Sequence, residues 1–360
     1  MTVVSILYSG LGGHSSVVFS FVEADEKKQY VHVLLFYGIE EMPPFYIKKC
    51  IDLGVRYFFV KKKPGLDIDS QKNVIRILNQ TEPGIILMHS VNLILPVYSY
   101  IIGKKIRLIS VEHQPNHLKT KKEWLWSGLL MLLSKKVVYL TDMYAKQMKA
   151  HLGLLYSSGK VSIINNGINI NLFKPSAEKA HAEYSIGMLA RMSETKDHIT
   201  LIEAFRILIK KEKFKNLRLK IAGDGAMKKQ AMQKVNESGL SGMIDFSGMI
   251  PEIQSPSFLN SLTIYVHASF GETMSTSLMQ AMACGKPIIA SDVEGINNMI
   301  RPGETGILVP VKNKDELALQ IEKLLDDPPL RKFLGQNSLQ YALENFSNTR
   351  MFKHYTDLFV

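Results

Sequence analysis

What most constrains this chain is a rhythm. Short apolar, β-branched runs alternate with helix-like segments, and the pattern plays through twice. In the first half the runs are Val3–Tyr8, Val31–Tyr37, Tyr57–Val60, Ile85–Met88, Ile106–Val111 and Val137–Leu140, with segments such as Ser15–Glu26 and Asp69–Gln80 between them. In the second half they are Ile186–Leu189, Leu217–Ala222, Ile244–Phe246, Ile264–Val266, Pro287–Ala290 and Gly306–Val309, separated by Thr200–Lys211, Met227–Ser238 and Lys314–Leu325 among others. Runs of this length suit strands buried on both faces. Strand–helix alternation predicts a parallel sheet covered by helices on both sides. A domain takes roughly 100–200 residues, so 360 residues with two such series predict two Rossmann-like α/β domains. The junction is expected between Asn165-Asn166-Gly167 and Pro175, because Asn-Gly and Pro mark turns.

Composition narrows the class. A hydrophobic share of 46% excludes disorder and collagen-like repeats. Two cysteines, Cys50 and Cys284, are too few for a disulfide scaffold or a four-ligand zinc site, so a reducing cytoplasm is expected. The opening residues lack a basic leader region, and no apolar run approaches the ~18 residues of a membrane span. The net charge of +11 is uneven. Residues 1–172 hold 21 Lys and Arg against 12 Asp and Glu, whereas the rest holds 23 against 21. An anionic partner is therefore expected on the first domain: a membrane surface, an anionic substrate or nucleic acid. Readable nucleic-acid modules are absent, so no nucleic-acid partner is expected.

Two strand-to-helix turns carry candidate chemistry. Ser9-Gly10-Leu11-Gly12-Gly13-His14 follows the first strand; its glycines admit close approach of a ligand, and the helix behind it offers free N–H groups. It is no dinucleotide fingerprint, since Ser15 stands where a third glycine belongs. The second turn runs from Ser269 through Glu272-Thr273-Met274-Ser275-Thr276-Ser277 to Gln280 and Gly285-Lys-Pro287. Ser275 or Thr276 can cap a short helix that Gly285 ends, and the N-terminus of that helix is an anion site by geometry.

The second half resembles the nucleotide-binding domain of the retaining, GT-B-fold glycosyltransferases, the "glycosyl transferases group 1" of family 4. Their signature is Glu, seven residues, then Glu-Ala-Met-Ala-x-Gly-x-Pro; here Glu272 is followed after seven residues by Gln280-Ala-Met-Ala-Cys-Gly285-Lys-Pro287. Gly187 to Lys196, with Arg191 between, resembles a family loop, and so do Gly223-Asp-Gly225, Asp245-Phe-Ser-Gly248, Asn166-Gly167-Ile168 and Gly303 to Pro310. The matches run in order across roughly residues 160–345.

The resemblance implies an α/β GT-B fold, two Rossmann-like domains facing each other across a cleft. It assigns residues 1–168 to acceptor binding, 169–345 to the nucleotide-sugar donor, and 346–360 to a helix returning to the first domain. Arg191 and Lys196 would clamp the diphosphate, aided by the helix end at Ser275–Ser277. Glu272, with the amides of Thr273 and Met274, would hold donor-sugar hydroxyls. Gly248, Met249 and Ile250 would border the base, and Gln280 would meet the ribose in place of the family's carboxylate. In the first domain Gly12, Gly13, His14, His89, Glu112 and His113 fall where the family keeps acceptor and sugar contacts, with His113 beside the transferring sugar. No cofactor and no metal are implied. The expected reaction moves a sugar from a UDP- or GDP-sugar to a hydroxyl of a glycan, such as a lipid-linked surface polysaccharide, at the cytoplasmic face of a membrane. A sugar-nucleotide epimerase of the same fold and a silent binding subunit, the latter suggested by Gln280, stay open. The segment Lys119–Lys136, with Trp124 and Trp126 between basic ends, suits either contact with an anionic membrane or a buried crossover helix.

Overall fold

The computed structural model describes residues 1–10, 12–176 and 184–360. The chain forms two compact units, Met1–Asn169 with Asn348–Val360, and Ile170–Ser347.

The first unit holds seven strands: β1 (Thr2–Tyr8), β2 (Val31–Gly38), β3 (Arg56–Lys61), β4 (Ile85–Met88), β5 (Arg107–Glu112), β6 (Lys136–Tyr139) and β7 (Val161–Ile163). All pair in parallel, in the order β3-β2-β1-β4-β5-β6-β7. The apolar runs are continuous because both sheet faces are covered: Val4, Ile6, Val33, Leu35, Ile86 and Met88 pack with Val74, Ile77 and Leu78 of the helix Ile68–Thr81. Each such side chain taken out of water contributes on the order of 1.5–3 kcal/mol. The last thirteen residues return to this unit. The helix Asn348–Thr356 packs on the helix Gly13–Glu23, where Phe21 meets the rings of Phe352 at 5.1 Å and Tyr355 at 5.5 Å. Asn348 donates from its backbone to the Ile168 carbonyl (2.9 Å) and from Nδ2 to the Ser20 carbonyl (3.1 Å).

The second unit holds β8 (Ser185–Leu189), β9 (Arg218–Ala222), β10 (Ile244–Gly248), β11 (Ile264–His267), β12 (Ile288–Ser291) and β13 (Ile307–Val309), ordered β10-β9-β8-β11-β12-β13. Counted within the unit this is the Rossmann order 3-2-1-4-5-6. Its core joins Ile186, Met188, Leu219, Ile221, Ile264 and Val266 to Leu201, Phe205 and Leu208 of the helix His198–Ile209. All the strand runs expected from sequence are present within a residue or two, in two parallel α/β sheets. Strand β7 was not expected. It is three residues long, sits at the sheet edge and carries Ser162 at its centre, so no apolar run announces it.

Strand order tells where ligands go. In such sheets the crevice opens at the carboxyl ends of the strands where the order reverses. That point lies between β1 and β4 in the first unit and between β8 and β11 in the second. The glycine turn follows β1 and His89 follows β4; the Arg191 loop follows β8 and Glu272 follows β11.

Candidate active site

In the second unit the loop after β8 is held against the loop after β9. Ala190 donates to the Ala222 carbonyl (3.0 Å) and Met192 to the Asp224 carbonyl (2.9 Å). The approach is close enough to need glycine. At Gly223, with φ of +140°, a Cβ would stand 1.9 Å from the Ala190 carbonyl oxygen. This packing leaves Arg191 exposed at the strand ends. Five residues on, the same loop crosses the end of β11. Asp197 donates to the Ala268 carbonyl (3.0 Å), Phe270 to the Thr195 carbonyl (2.9 Å), and Lys196 bridges Ser269. Lys196 thereby reaches Glu272, and the two form an ion pair.

Glu272 has a second partner that the sequence reading did not single out. His267, the last residue of β11, is fully buried, and its Nε2 bonds the same carboxylate oxygen that Lys196 holds. Burial alone would raise the Glu272 carboxyl; the Lys196 ammonium and the His267 ring outweigh it and hold the group well below the usual carboxylate range. Thr273, Met274 and Ser275 are buried, and Ser275 Oγ accepts from the Leu278 N–H to cap the helix Thr276–Ala283. Thr276 and Ser277 are half-buried at its first turn, and Gln280 is buried one turn in. Gly285, at φ +67°, ends the helix ahead of β12. Gly248 closes β10, and its carbonyl accepts from Gly223 N–H at 2.7 Å; Met249 is exposed and Ile250 half-buried beside it.

In the first unit the structure draws three histidines together. His89 Nδ1 lies 2.8 Å from His113 Nε2, and the His14 ring is 6.0 Å from that of His113. Burial lowers His113 well below the ordinary histidine range, with His89 and His14 adding to the effect; His89 falls to about 3. Both rings are neutral at physiological pH, and one of the two facing nitrogens carries the shared hydrogen. Gly12 caps the helix Gly13–Glu23 in extended backbone, and its N–H donates to Tyr46 Oη at 3.3 Å.

Glu112 and Lys119 require a correction. Lys119 is no surface lysine. Its side chain is 2% exposed, and Nζ bonds Glu112 Oε2 (2.8 Å) and Ser127 Oγ (2.9 Å) while lying 4.7 Å from the Trp124 ring. Glu112 also accepts from Ser127 Oγ and from Tyr144 Oη (3.2 Å). Both residues serve an internal ion pair under the loop that carries His113, so Lys119 is unavailable to a lipid headgroup. The helix Lys121–Leu133 around it is the crossover between β5 and β6, started by a capping box of Thr120 and Glu123. Burial pushes both thiols, Cys50 and Cys284, up to about 12. Among the described residues no group of three or more His, Cys, Asp or Glu is arranged to hold a metal ion, and no helix is long and apolar enough to cross a membrane.

Comparison with known proteins gives the family. Residues 169–341 match the family model "Glycosyl transferases group 1" and residues 11–172 match "Glycosyltransferase Family 4". Together the two models describe both units, and the chain belongs to this family of GT-B-fold glycosyltransferases. An uncharacterized glycosyltransferase of Methanocaldococcus jannaschii is 27% identical over 277 residues, 73% of this chain and 70% of that protein. The putative glycosyltransferase EpsD of Bacillus subtilis is 29% identical over 219 residues, 58% of this chain, which there spans about half of the relative, 56%. Among solved structures, Anabaena HepE in complex with UDP and glucose superposes with a TM-score of 0.84 at 16% identity over 99% of both chains. Staphylococcus aureus TarM does so at 0.81 and 13%, over all of this chain and 99% of TarM.

Proposed function

We propose that the protein is a retaining glycosyltransferase that transfers a sugar from a UDP- or GDP-sugar to a glycan hydroxyl without a metal ion. The observation that carries this reading is the grouping of Lys196, Glu272 and a Ser275-capped helix N-terminus at the switch point between β8 and β11. A sugar nucleotide departs as a nucleoside diphosphate, so the site has to stabilise charge growing on the terminal phosphate. Arg191 forks to two phosphate oxygens, Lys196 adds a point charge, and the helix amides at Ser275, Thr276 and Ser277 add fixed dipoles. Glu272, with the Thr273 and Met274 amides, takes donor-sugar hydroxyls. Gln280 accepts from the ribose, more weakly than a carboxylate would. Gly248, Met249 and Ile250 border the base. In the first unit Gly12, Gly13, His14 and His113 serve sugar and acceptor, with His113 acting as a neutral ring. That HepE was solved with UDP-glucose supports a nucleotide-sugar donor.

The test is donor hydrolysis and transfer by the purified enzyme. Arg191→Ala and Glu272→Ala are each expected to lower kcat/KM on the order of 100-fold, the scale of losing one charge-stabilising contact in a transition state. Full activity in both variants would overturn the assignment. An altered sugar appearing without acceptor would favour an epimerase.

The acceptor is proposed to be lipid-linked and the protein peripheral at an anionic, cytoplasmic membrane face. The helix Lys121–Leu133 supports this: Leu125 and Leu132 are 63% and 51% exposed, close in sequence to exposed Lys121, Lys122 and Lys135. Each lysine near an anionic surface contributes about 1 kcal/mol. Replacing these three lysines by Glu is expected to abolish flotation with anionic vesicles and leave donor hydrolysis unchanged. Equal flotation by variant and parent would remove the membrane contact.

A further inference from the structure

His267 takes no part in the proposed transfer, yet it is among the most enclosed polar groups at the site. Its ring is fully buried. Nδ1 faces Tyr265 Oη at 3.1 Å, and Nε2 faces Glu272 Oε1, Ser275 Oγ at 3.2 Å and Lys196 Nζ at 3.4 Å. Proton bookkeeping settles Nε2. A carboxylate oxygen only accepts, so Nε2 carries the hydrogen and donates it to Glu272, with Ser275 Oγ as a second acceptor. Nδ1 faces the Tyr265 hydroxyl, whose single hydrogen is also within reach of the Leu189 carbonyl at 3.2 Å; in a neutral ring Nδ1 accepts it. Burial lowers His267 against the opposing pull of Glu272, which agrees with a neutral ring. Lys196 and His267 therefore both donate to one carboxylate oxygen and do not bond each other.

The two donors differ in freedom. His267 is anchored in a strand, braced by Tyr265 and tied through Ser275 to the cap of the helix Thr276–Ala283. Lys196 sits on a loop at the end of a flexible four-carbon stem. A diphosphate beside Lys196 competes for the same ammonium that Glu272 holds. If Lys196 were the sole partner of Glu272, its departure would strand a partly buried carboxylate without compensation. We infer that His267 is a positioning residue: it keeps Glu272 charged and in place as the permanent partner, so that Lys196 can be exchanged from Glu272 to the entering diphosphate. This rests on the reading of the second unit as the donor site. It adds that donor binding begins by exchanging the Lys196–Glu272 ion pair.

Two measurements test it. On the ligand-free enzyme, nitrogen NMR of labelled histidines at pH 8, with His267 assigned by its loss in His267→Gln, is expected to show a neutral Nε2–H ring. An Nδ1–H ring overturns the proposal whatever the ligand. Calorimetry then uses whichever of UDP, GDP, ADP and CDP binds the parent enzyme. Glu272→Gln frees Lys196 and is expected to tighten that nucleotide about tenfold, the scale of one hydrogen bond to a charged group. His267→Phe leaves Glu272 leaning on Lys196 alone and is expected to weaken it by about the same factor. His267→Gln, whose amide can still donate to the carboxylate, is expected to restore parental binding. The deciding comparison is the double variant: with Glu272 already Gln, changing His267 to Phe should have no further effect on affinity. A loss that persists there marks a merely structural histidine and overturns the exchange. If none of the four nucleotides binds the parent, the donor-site reading fails with the exchange, while the NMR result still decides whether His267 holds Glu272.

Discussion

Replacing Lys119 by Met is expected to destabilise the first unit by about 3–5 kcal/mol, the range for breaking a buried ion pair from one side. Methionine fills much of the same volume, so the loss is electrostatic and not a cavity. Glu112, 3% exposed, keeps the hydroxyls of Ser127 and Tyr144 but loses its counter-charge. Burial already presses the Lys119 ammonium toward its neutral form, and Glu112 works against that. The pair therefore survives only as a pair. The protein carries its own reporter, because its two tryptophans, Trp124 and Trp126, both lie on the helix Lys121–Leu133. Fluorescence during denaturant unfolding follows the first unit alone, which matters in a two-unit chain where a single midpoint mixes transitions. The double variant Lys119→Met with Glu112→Gln removes the stranded charge and is expected to regain much of the loss. A Lys119→Met protein as stable as its parent would show that the pair contributes nothing.

The same pair shows what a linear reading can and cannot see. Lysines beside tryptophans look like an interface helix, and along the chain nothing distinguishes Lys119 from Lys121 or Lys122. The distinguishing partner is an acid at the end of an apolar strand, seven residues earlier, whose significance appears only when that strand is buried. The strands themselves were legible because covering a parallel sheet on both faces leaves continuous apolar runs. The edge strand β7, with Ser162 at its centre, has no such run. The helix Thr276–Ala283 was legible for a different reason: a serine cap, a glycine stop and a following proline are local chemistry. Arg191, Lys196 and Glu272 could be named through the family resemblance, and the strand order brings their loops to one switch point. His267 was hidden because Ile-Tyr-Val-His reads as an ordinary strand. What the histidine touches depends on a turn that leads the chain back over the end of β11. Contacts made by backbone at long range leave still less trace, and one of these governs the second large effect.

Gly295→Ala is expected to cut transfer on the order of 100-fold, the loss that about 1 Å of misplacement at a reacting site can cause. The turn after β12 comes up beneath Glu272, whose N–H donates to the Glu294 carbonyl at 3.3 Å. Gly295 stands at φ +82°, and a Cβ there would lie 1.7 Å from the Glu272 carbonyl oxygen and 2.9 Å from that of Thr273. No side-chain rotation relieves this, because the obstructing atoms are backbone. Either the turn or the Glu272–Thr273 peptide has to move, and the left-handed φ adds strain of roughly 1–2 kcal/mol for a residue with a Cβ. A moved peptide shifts the Glu272 carboxylate and the Thr273 amide together, the two groups proposed to hold the donor sugar. The damage should therefore fall on transfer more than on the nucleotide binding proposed for Arg191 and Lys196. Gly303→Ala is the control: that glycine also has a left-handed φ, +77°, but open space around its missing side chain. It is expected to cost the same backbone strain in stability with no loss of transfer. Equal activity in the two alanine variants would mean that the Glu272 backbone tolerates displacement and that the carboxylate position is not set from below.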